Sequence, residues 1–435
     1  MASTSTASQA SHPISAQPIT VPESAPVRRR RRSRTSGDVP GATLLIAPLA
    51  IFMAVFFITP IVSLMTRAVW DPVVAVAFPD TARALSGWSD GTPPPAAYAA
   101  LAADIVAADQ AGTLGEAASR LNQDLSGMRA LLLRTRRHLD DLSMDGKPLK
   151  TPQDAQREIL AADERWSEGS TWKVLAEAIR PLTAAYLLRA VDHRRDADGK
   201  VIALPSTDGA YVPILARTFW ISLIVTGLVV ALGYPLTYWL SQLPERKQRM
   251  ALMAILIPFW TSILVRIAAW MVVLPREGLV NKIAMSMHLF DNPVALLYNR
   301  TGVIISMVHI LIPFMVLPLL AVMRGISPTY QRAAISLGSH PFGAFWRVYV
   351  PQTAPGVAAG ALLVFISALG YYIAPALLGG AGDQMLSYYI AYFTNTSINW
   401  GLAAALSMLL LLATALLFVS YRVLATFRPG ATREA

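Results

Sequence analysis

The sequence predicts an all-α integral membrane protein of six transmembrane helices, with a helical extracytoplasmic insertion between helices 1 and 2. Three observations predict it. The 435 residues are 54% hydrophobic and only 15% charged, against about 25% charged in average soluble chains. The apolar residues fall in blocks of the roughly 20 residues that a bilayer-crossing helix needs, instead of being spread at helix or strand periodicity. One internal segment, residues 67–212, interrupts the blocks with 17 Lys plus Arg and 20 Asp plus Glu, the composition of a water-exposed domain. Cysteine is absent, which excludes a disulfide framework, a thiolate metal site, an iron–sulfur cluster and a Cys nucleophile. The 14 Tyr, 14 Phe and 10 Trp exclude a disordered chain.

Residues 1–40 read as a disordered, Ser/Thr/Pro-rich cytoplasmic arm carrying Arg28 to Arg32 and Arg34. Such an arm also suits nucleic acid or the start of a signal peptide. Nucleic-acid binding would need interleaved aromatic residues, and the arm has none. A signal peptide has an apolar region of about 7 to 15 residues; the uncharged stretch 41–65 is longer, and the small-residue site Ala75-Val76-Ala77 lies well beyond it. The first transmembrane helix is therefore placed at 41–66, with the arm as its topogenic anchor.

The later spans follow in the core 213–426. Residues 218–243 carry no charge, and 250–274 carry only Arg266. The fourth span covers 301–323. Nothing is charged between Arg347 and Asp383, where Pro351 and Pro375 bracket the fifth, and the sixth occupies 400–423. Lys and Arg in short flanks resist translocation. Fifteen of them fall in the arm, the loops after spans 2 and 4, and the C-terminal flank from Arg422 through the tail 427–435; only Arg276, Lys282 and Arg300 fall in short loops on the other side. Both termini are thus expected in the cytoplasm.

The insertion 67–212 shows helical faces. Leu114, Ala118, Leu121, Leu125, Met128 and Leu132 recur at spacings of four and three, as do Trp172, Leu175, Ile179, Leu182 and Tyr186, with Pro181 expected to break the second helix. Asp90-Gly91 and Asp145-Gly146 with Pro148 mark turns. His138 and His193 sit among charged residues with no metal-ligand spacing and no nucleophile with a paired base, so they read as solvated surface. Contact with an external partner is the better reading of this segment.

The inner loop 324–350 carries the most specific signal, in Ser327-Pro328-Thr329-Tyr330-Gln331-Arg332-Ala333-Ala334-Ile335-Ser336-Leu337-Gly338. Ser327 suits a helix cap, Pro328 the first helical position, and Gly338 the left-handed residue that ends a helix. Ala333 and Ala334 form a small-residue patch. A second turn from Pro341 presents Phe342, Phe345, Trp346 and Tyr349, an aromatic face suited to the membrane interface.

This loop resembles the "EAA" signature of the membrane subunits of bacterial ATP-binding-cassette importers. The corresponding positions are Arg332-Ala333-Ala334, Gly338, and Val348-Tyr349-Val350-Pro351. The spacing is intact, but Arg332 stands where the family has an acid, so an ATPase contact made by that acid is altered or lost here. Pro258-Phe259-Trp260 with Arg266, the run from Leu311 to Pro318, and the run from Ala368 to Gly380 look like the spermidine/putrescine branch. The resemblance covers span 1 and everything from Tyr211 onward, and it implies the type I importer permease fold.

The resemblance further implies a bacterial inner-membrane subunit that works with a second permease subunit, a cytoplasmic ATPase dimer and a periplasmic solute-binding protein, moving a polyamine or a similar small solute. It implies no catalytic residue and no cofactor or metal in this chain, with ATP and Mg held by the ATPase. The residues agree, because the phosphate-cradling Gly-Lys-Ser/Thr ending is missing: Gly146-Lys147 is followed by Pro148, and Gly199-Lys200 by Val201. Arg332, Ala333, Ala334, Gly338 and Pro351 are the implied ATPase-coupling residues. Arg266, Tyr371 and Tyr372 are the candidates for the pathway or a subunit interface, since a charge inside a membrane usually faces a cavity or partner. Arg217 is expected to snorkel to the interface, and His309 to be a packing residue.

No Asp or Glu falls inside the spans to receive a polycation. Solute recognition is therefore expected in the external binding protein, leaving an opine, an aminoalkylphosphonate or an iron chelate as other solutes. A proton-coupled secondary transporter is the rival class, but acidic relays and inverted repeats are both missing.

Overall fold

The computed structural model describes residues 39–88, 91–147, 149–195, 200–204, 211–289 and 291–426. The basic arm, the tail 427–435, and Asp90 and Pro148 of the two turns lie outside the described residues. The architecture is helical, and the one sheet among the described residues is an antiparallel hairpin, His193–Arg195 with Val201–Ala203. That hairpin is a small departure from the all-α expectation.

The chain divides after Ile58. The first unit contains a helix, Val39–Met53, and a π-helical turn, Ala54–Ile58, whose described side chains are apolar and mostly exposed. Five helical runs among the described residues are long and apolar enough to cross a membrane: Ile46–Thr66, Tyr211–Gln242, Arg300–Gly325, Pro341–Leu369 and Trp400–Val419. A sixth candidate is a bent pair, Glu245–Trp260 with Ile263–Val273, turning by 94°. The sequence leads one to expect an unbroken helix at 250–274, and the bend has a local cause. Pro258 lacks the amide a helix needs and tightens Ile257–Trp260 into a 3₁₀ turn; Thr261 and Ser262 then adopt extended ψ angles of 150° and 142°.

Three helices form the centre of the second unit. Tyr211–Gln242, Arg300–Gly325 and Val350–Leu369 share a core of Ile221, Val225, Met307, Met315 and Val364. Glycines set the closest approach: a Cβ on Gly360 would meet Met315 Sδ at 2.5 Å, and one on Gly356 would meet Val322 Cβ at 2.9 Å. Small residues four apart let membrane helices pack backbone to backbone.

The insertion has its own core. Trp166 and Trp172 are fully buried with ring centres 5.3 Å apart, and Tyr98 meets Trp172 edge-on at 4.6 Å. Their polar atoms are satisfied: Trp166 Nε1 donates to Thr135 Oγ1 and Trp172 Nε1 to the Trp166 carbonyl, each at 2.8 Å. The apolar face from Leu114 to Leu132 is buried as expected except for half-buried Leu125, but on two helices, Leu114–Asp124 and Met128–Met144. Gly127, at φ +91°, separates them, a left-handed turn no helix tolerates. The break at Pro181 is present, and it leaves Leu182 exposed instead of on the shared face. His138 is held by Glu158 at 3.0 Å, and His193 Nδ1 lies 2.6 Å from the Val191 carbonyl.

A third core joins the insertion to the helical centre. Ala68, Tyr186 and Ala190 pack with Tyr211, Ile214, Leu402 and Leu406. Asp192 closes the seam by accepting the Tyr211 and Val212 amides at 2.6 and 2.9 Å, which caps the Tyr211–Gln242 helix.

Candidate functional site

Gln248 organises one end of the central helices. It is buried, donates Nε2 to the Leu240 carbonyl at 2.9 Å, and accepts from Arg324 through Oε1. Three segments are thus joined just before the coupling loop. Gln248 does not stand out in the sequence and Arg324 does so only as a basic flank residue, because their contact spans 76 residues and local periodicity cannot report it.

From there the chain enters the helix Pro328–Ser336. Ser327 Oγ accepts from the Thr329 amide at 3.3 Å, and Pro328 occupies the first turn, where its missing amide costs nothing. At the far end, Leu337, Gly338 and Ser339 donate to the carbonyls of Ala333, Ile335 and Ala334 at 3.0, 2.9 and 3.0 Å. Gly338 has φ +90°, and a Cβ there would meet nothing within 4 Å. Backbone conformation, and not space, therefore calls for glycine. His340 starts the next turn, its Nδ1 accepting from the Phe342 amide at 3.3 Å.

Both ends of this short helix are closed, and its outer face is open. Arg332, Ala333, Tyr330 and Ile335 are exposed and Ala334 is half-buried. Arg332 belongs to no ion pair among the described residues.

The expected aromatic face divides in two. Phe342 and Trp346 are exposed, whereas Phe345 and Tyr349 stack at 5.7 Å and meet Tyr238 edge-on at 5.1 and 5.4 Å. Because Tyr238 belongs to Tyr211–Gln242, these rings tie the loop to a second span. The residues Phe345–Tyr349 form a π-helical turn, and Pro351 sits in the first turn of Val350–Leu369, so the helical path runs on into the span.

The intramembrane candidates separate. Arg266 and Tyr371 come within electrostatic reach of one another. Tyr372 is 40% exposed and has no ring contact with them among the described residues. Arg266 lies over Phe259 at 5.8 Å and lines a cavity of about 210 Å³ with Ala269, Trp270, Val273 and His309. Arg217 does not snorkel freely: it donates to the Gly382 carbonyl at 2.5 Å and to the Gln384 carbonyl. Beside it Arg300 pairs with Asp383 at 3.0 Å, so two arginines fix the 379–384 loop.

The model of the family described as "Binding-protein-dependent transport system inner membrane component" matches residues 209–427. The chain belongs to this family. The resemblance carried by the coupling loop therefore holds, and the protein is a multi-pass inner-membrane permease component of the ATP-binding-cassette importer type. The permease is 32% identical over 214 residues to the spermidine/putrescine transport system permease protein PotB of Salmonella typhimurium, covering 49% of this chain and 75% of that one. Against the protein of the same name from Haemophilus influenzae it is 33% identical over 226 residues, covering 51% and 79%. Among solved structures it is similar to a bacterial ABC transporter involved in the import of the acidic polysaccharide alginate, with 17% identity, a TM-score of 0.41, and coverage of 50% of this chain and 80% of that one.

Proposed function

We propose that this permease is one of two membrane subunits of an ATP-driven importer that carries a polyamine such as spermidine or putrescine inward. It crosses the membrane six times, with both termini in the cytoplasm and residues 67–212 on the outer side. The bent pair counts as one crossing because its ends lie at opposite ends of Arg300–Gly325. Gln248 is beside Arg324, whereas Leu274 Cδ1 lies 3.6 Å from where a Cβ on Gly302 would stand. The Arg324 end carries the basic loops, so it is the cytoplasmic end.

The observation that carries this reading is the doubly capped helix Pro328–Ser336, exposed on its outer face and tied by Phe345 and Tyr349 to Tyr238. A short helix closed at both ends moves as a rigid piece. Seated in a cleft of a cytoplasmic ATPase, it would pass ATP-driven closure to three spans together and alternate inward and outward access. ATP and Mg belong to that separate ATPase, and Arg332, Ala333, Ala334, Gly338 and Pro351 form the coupling surface and its hinge. The solute reading rests on the relatives' names. An external binding protein would recognise the solute and dock on the outer side, with the insertion as a contact surface.

Ala334→Glu tests the coupling. A carboxylate at the helix–cleft contact, desolvated without a partner, should lower ATPase co-purification and ATP-dependent uptake in proteoliposomes by about tenfold or more. Full retention of both overturns the coupling role. Uptake that persists on a proton gradient without ATP overturns the importer mechanism. Failure of the cognate binding protein to bind putrescine or spermidine overturns the solute alone.

A further inference from the structure

Arg266 is a permanent charge on an apolar helix, Ile263–Val273, and apart from the Phe259 ring face it has no charge partner among the described residues. Its Nε is buried without a hydrogen-bond partner, and so is the hydroxyl of Tyr371 nearby. The guanidinium only donates, the phenol is neutral, and neither brings a negative charge. His309 and Trp270, with ring centres 5.4 Å apart, line the same cavity as Arg266 and bring no acid to it. The site therefore lacks an anion among the described residues, and a carboxylate is the group that would compensate the guanidinium.

Among the described residues, the membrane-spanning part of this chain does not supply that anion. Between Tyr211 and Thr426 its acids are Glu245, Glu277, Asp291 and Asp383. Glu245 opens the helix on the Gln248–Arg324 side, Glu277 and Asp291 lie in the segment between Val273 and Arg300, and Asp383 is taken by Arg300 at 3.0 Å. A second copy of the chain would bring another arginine and no carboxylate. A polyamine is cationic and offers no acceptor, and any solute visits only transiently, whereas an intramembrane charge must be compensated in the resting protein too. The helix around Arg266 also presents an open apolar face, with Leu264, Val265 and Val272 exposed and the small residues Ala268 and Ala269 permitting close approach of a neighbouring helix.

We infer that Arg266 pairs with a carboxylate held at the same depth by the second permease subunit. The inference rests on the two-subunit reading above. The exposed face of Ile263–Val273 is the subunit contact around that pair.

The test uses the whole complex solubilised from membranes, with an affinity tag on this chain and the amount of second permease retained as the readout. Arg266→Lys keeps the charge and retains the second subunit within about threefold, whereas Arg266→Glu, which sets two carboxylates together, lowers retention about tenfold or more. In the Arg266→Glu background, changing the intramembrane Asp and Glu residues of the second subunit singly to Lys restores retention at one position. Full retention in Arg266→Glu overturns the inference, and so does the absence of any restoring position. Intact assembly with altered solute preference overturns it as well, because Arg266 then belongs to the solute's site.

If Arg266→Glu fails to accumulate in the membrane, Arg266→Gln is combined with amide replacements of those same acids. One double variant then loses less than its two single variants predict together, and strict additivity at every position overturns the inference. A second permease that proves to be a copy of this chain overturns the inference alone. Failure of any second permease to co-purify with the unaltered chain defeats the two-subunit reading itself.

Discussion

Tyr186 packs against Gly401 so closely that a Cβ built on Gly401 would run into the Tyr186 ring. The contact joins the last helix of the insertion to the first turn of the last span. The ring has little room to yield. Its hydroxyl donates to Asp71 Oδ2 at 2.6 Å, and the Arg120 guanidinium sits 4.8 Å from its centre while pairing with Asp71 and Asp124. Burial pushes the Tyr186 hydroxyl well above its ordinary value, so it remains a neutral donor throughout the physiological range. Arg120 remains charged: burial opposes its charge, but Asp124, Tyr186 and Asp71 together raise its pKa.

Gly401→Ala is therefore expected to destabilise the permease by about 1–3 kcal/mol, the usual cost of overfilling a packed site. Thermal unfolding of the detergent-solubilised protein checks this, and combining the change with Tyr186→Leu should recover part of the loss. An unchanged midpoint for Gly401→Ala would mean that the insertion yields at this seam.

The insertion should also weaken in acid through Asp163. Its carboxylate accepts Arg165 Nε and Nη2 at 3.1 Å each and Arg134 Nη1 at 2.8 Å. The hydrogen bonds from Arg165 hold its pKa below the ordinary carboxylate value, outweighing burial, with the charge of Arg134 helping. The sign follows from linkage. The stability this group contributes is complete above the unfolded pKa of about 3.9 and disappears as pH falls through the lower folded value. Asp163→Asn should cost about 1–3 kcal/mol at neutral pH and progressively less below about pH 4. A pH-independent difference between the two proteins would exclude this linkage.

The coupling loop permits a sharper discrimination. Gly338 has open space around its Cα and φ +90°, so the penalty for substitution is conformational. Asn tolerates the left-handed region far better than a β-branched residue does. Gly338→Asn should keep most uptake, whereas Gly338→Val should distort the helix end by about 1–2 kcal/mol and reduce ATP-dependent uptake. Equal activity of the Asn and Val proteins would remove the glycine's role in closing this helix.

The contrast between Gly338 and Arg217 explains what a sequence reveals here. The apolar runs, the caps at Ser327 and Gly338, the break at Pro181 and the buried face from Leu114 to Leu132 are written in spacings of twenty residues or fewer. Partnerships across the chain are not. Arg217 finds carbonyls 165 and 167 residues away, Tyr186 finds Asp71 across 115 residues, and no periodicity encodes such pairs. The bend after Trp260 was missed for another reason: hydropathy stays high through Pro258-Phe259-Trp260, while the break depends on the backbone of Thr261 and Ser262. At the site, the capped helix was legible in full, but Tyr238, which ties it to a second span, was hidden inside an apolar run.

Gly360 offers the most direct measure of how closely two central spans must pack. A Cβ there would stand 2.5 Å from Met315 Sδ and 3.2 Å from both the Cα and the carbonyl oxygen of Met315. The sulfur ends a flexible side chain and is able to move; the backbone atoms are not. Gly360→Ala should therefore be moderately destabilising, and Met315→Leu, which removes the sulfur but leaves the backbone, should give little relief. Gly360→Val adds two methyl groups beyond the Cβ against the same backbone and should cost about 3 kcal/mol or more, overfilling the contact and moving the helices apart. Because Val350–Leu369 continues from the coupling loop, loss of this contact should lower ATP-dependent uptake more than it lowers co-purification of the ATPase. Thermal unfolding and uptake measured on the same preparations check both halves, and a Gly360→Val protein with unaltered stability would show that the two spans are not in contact at this depth.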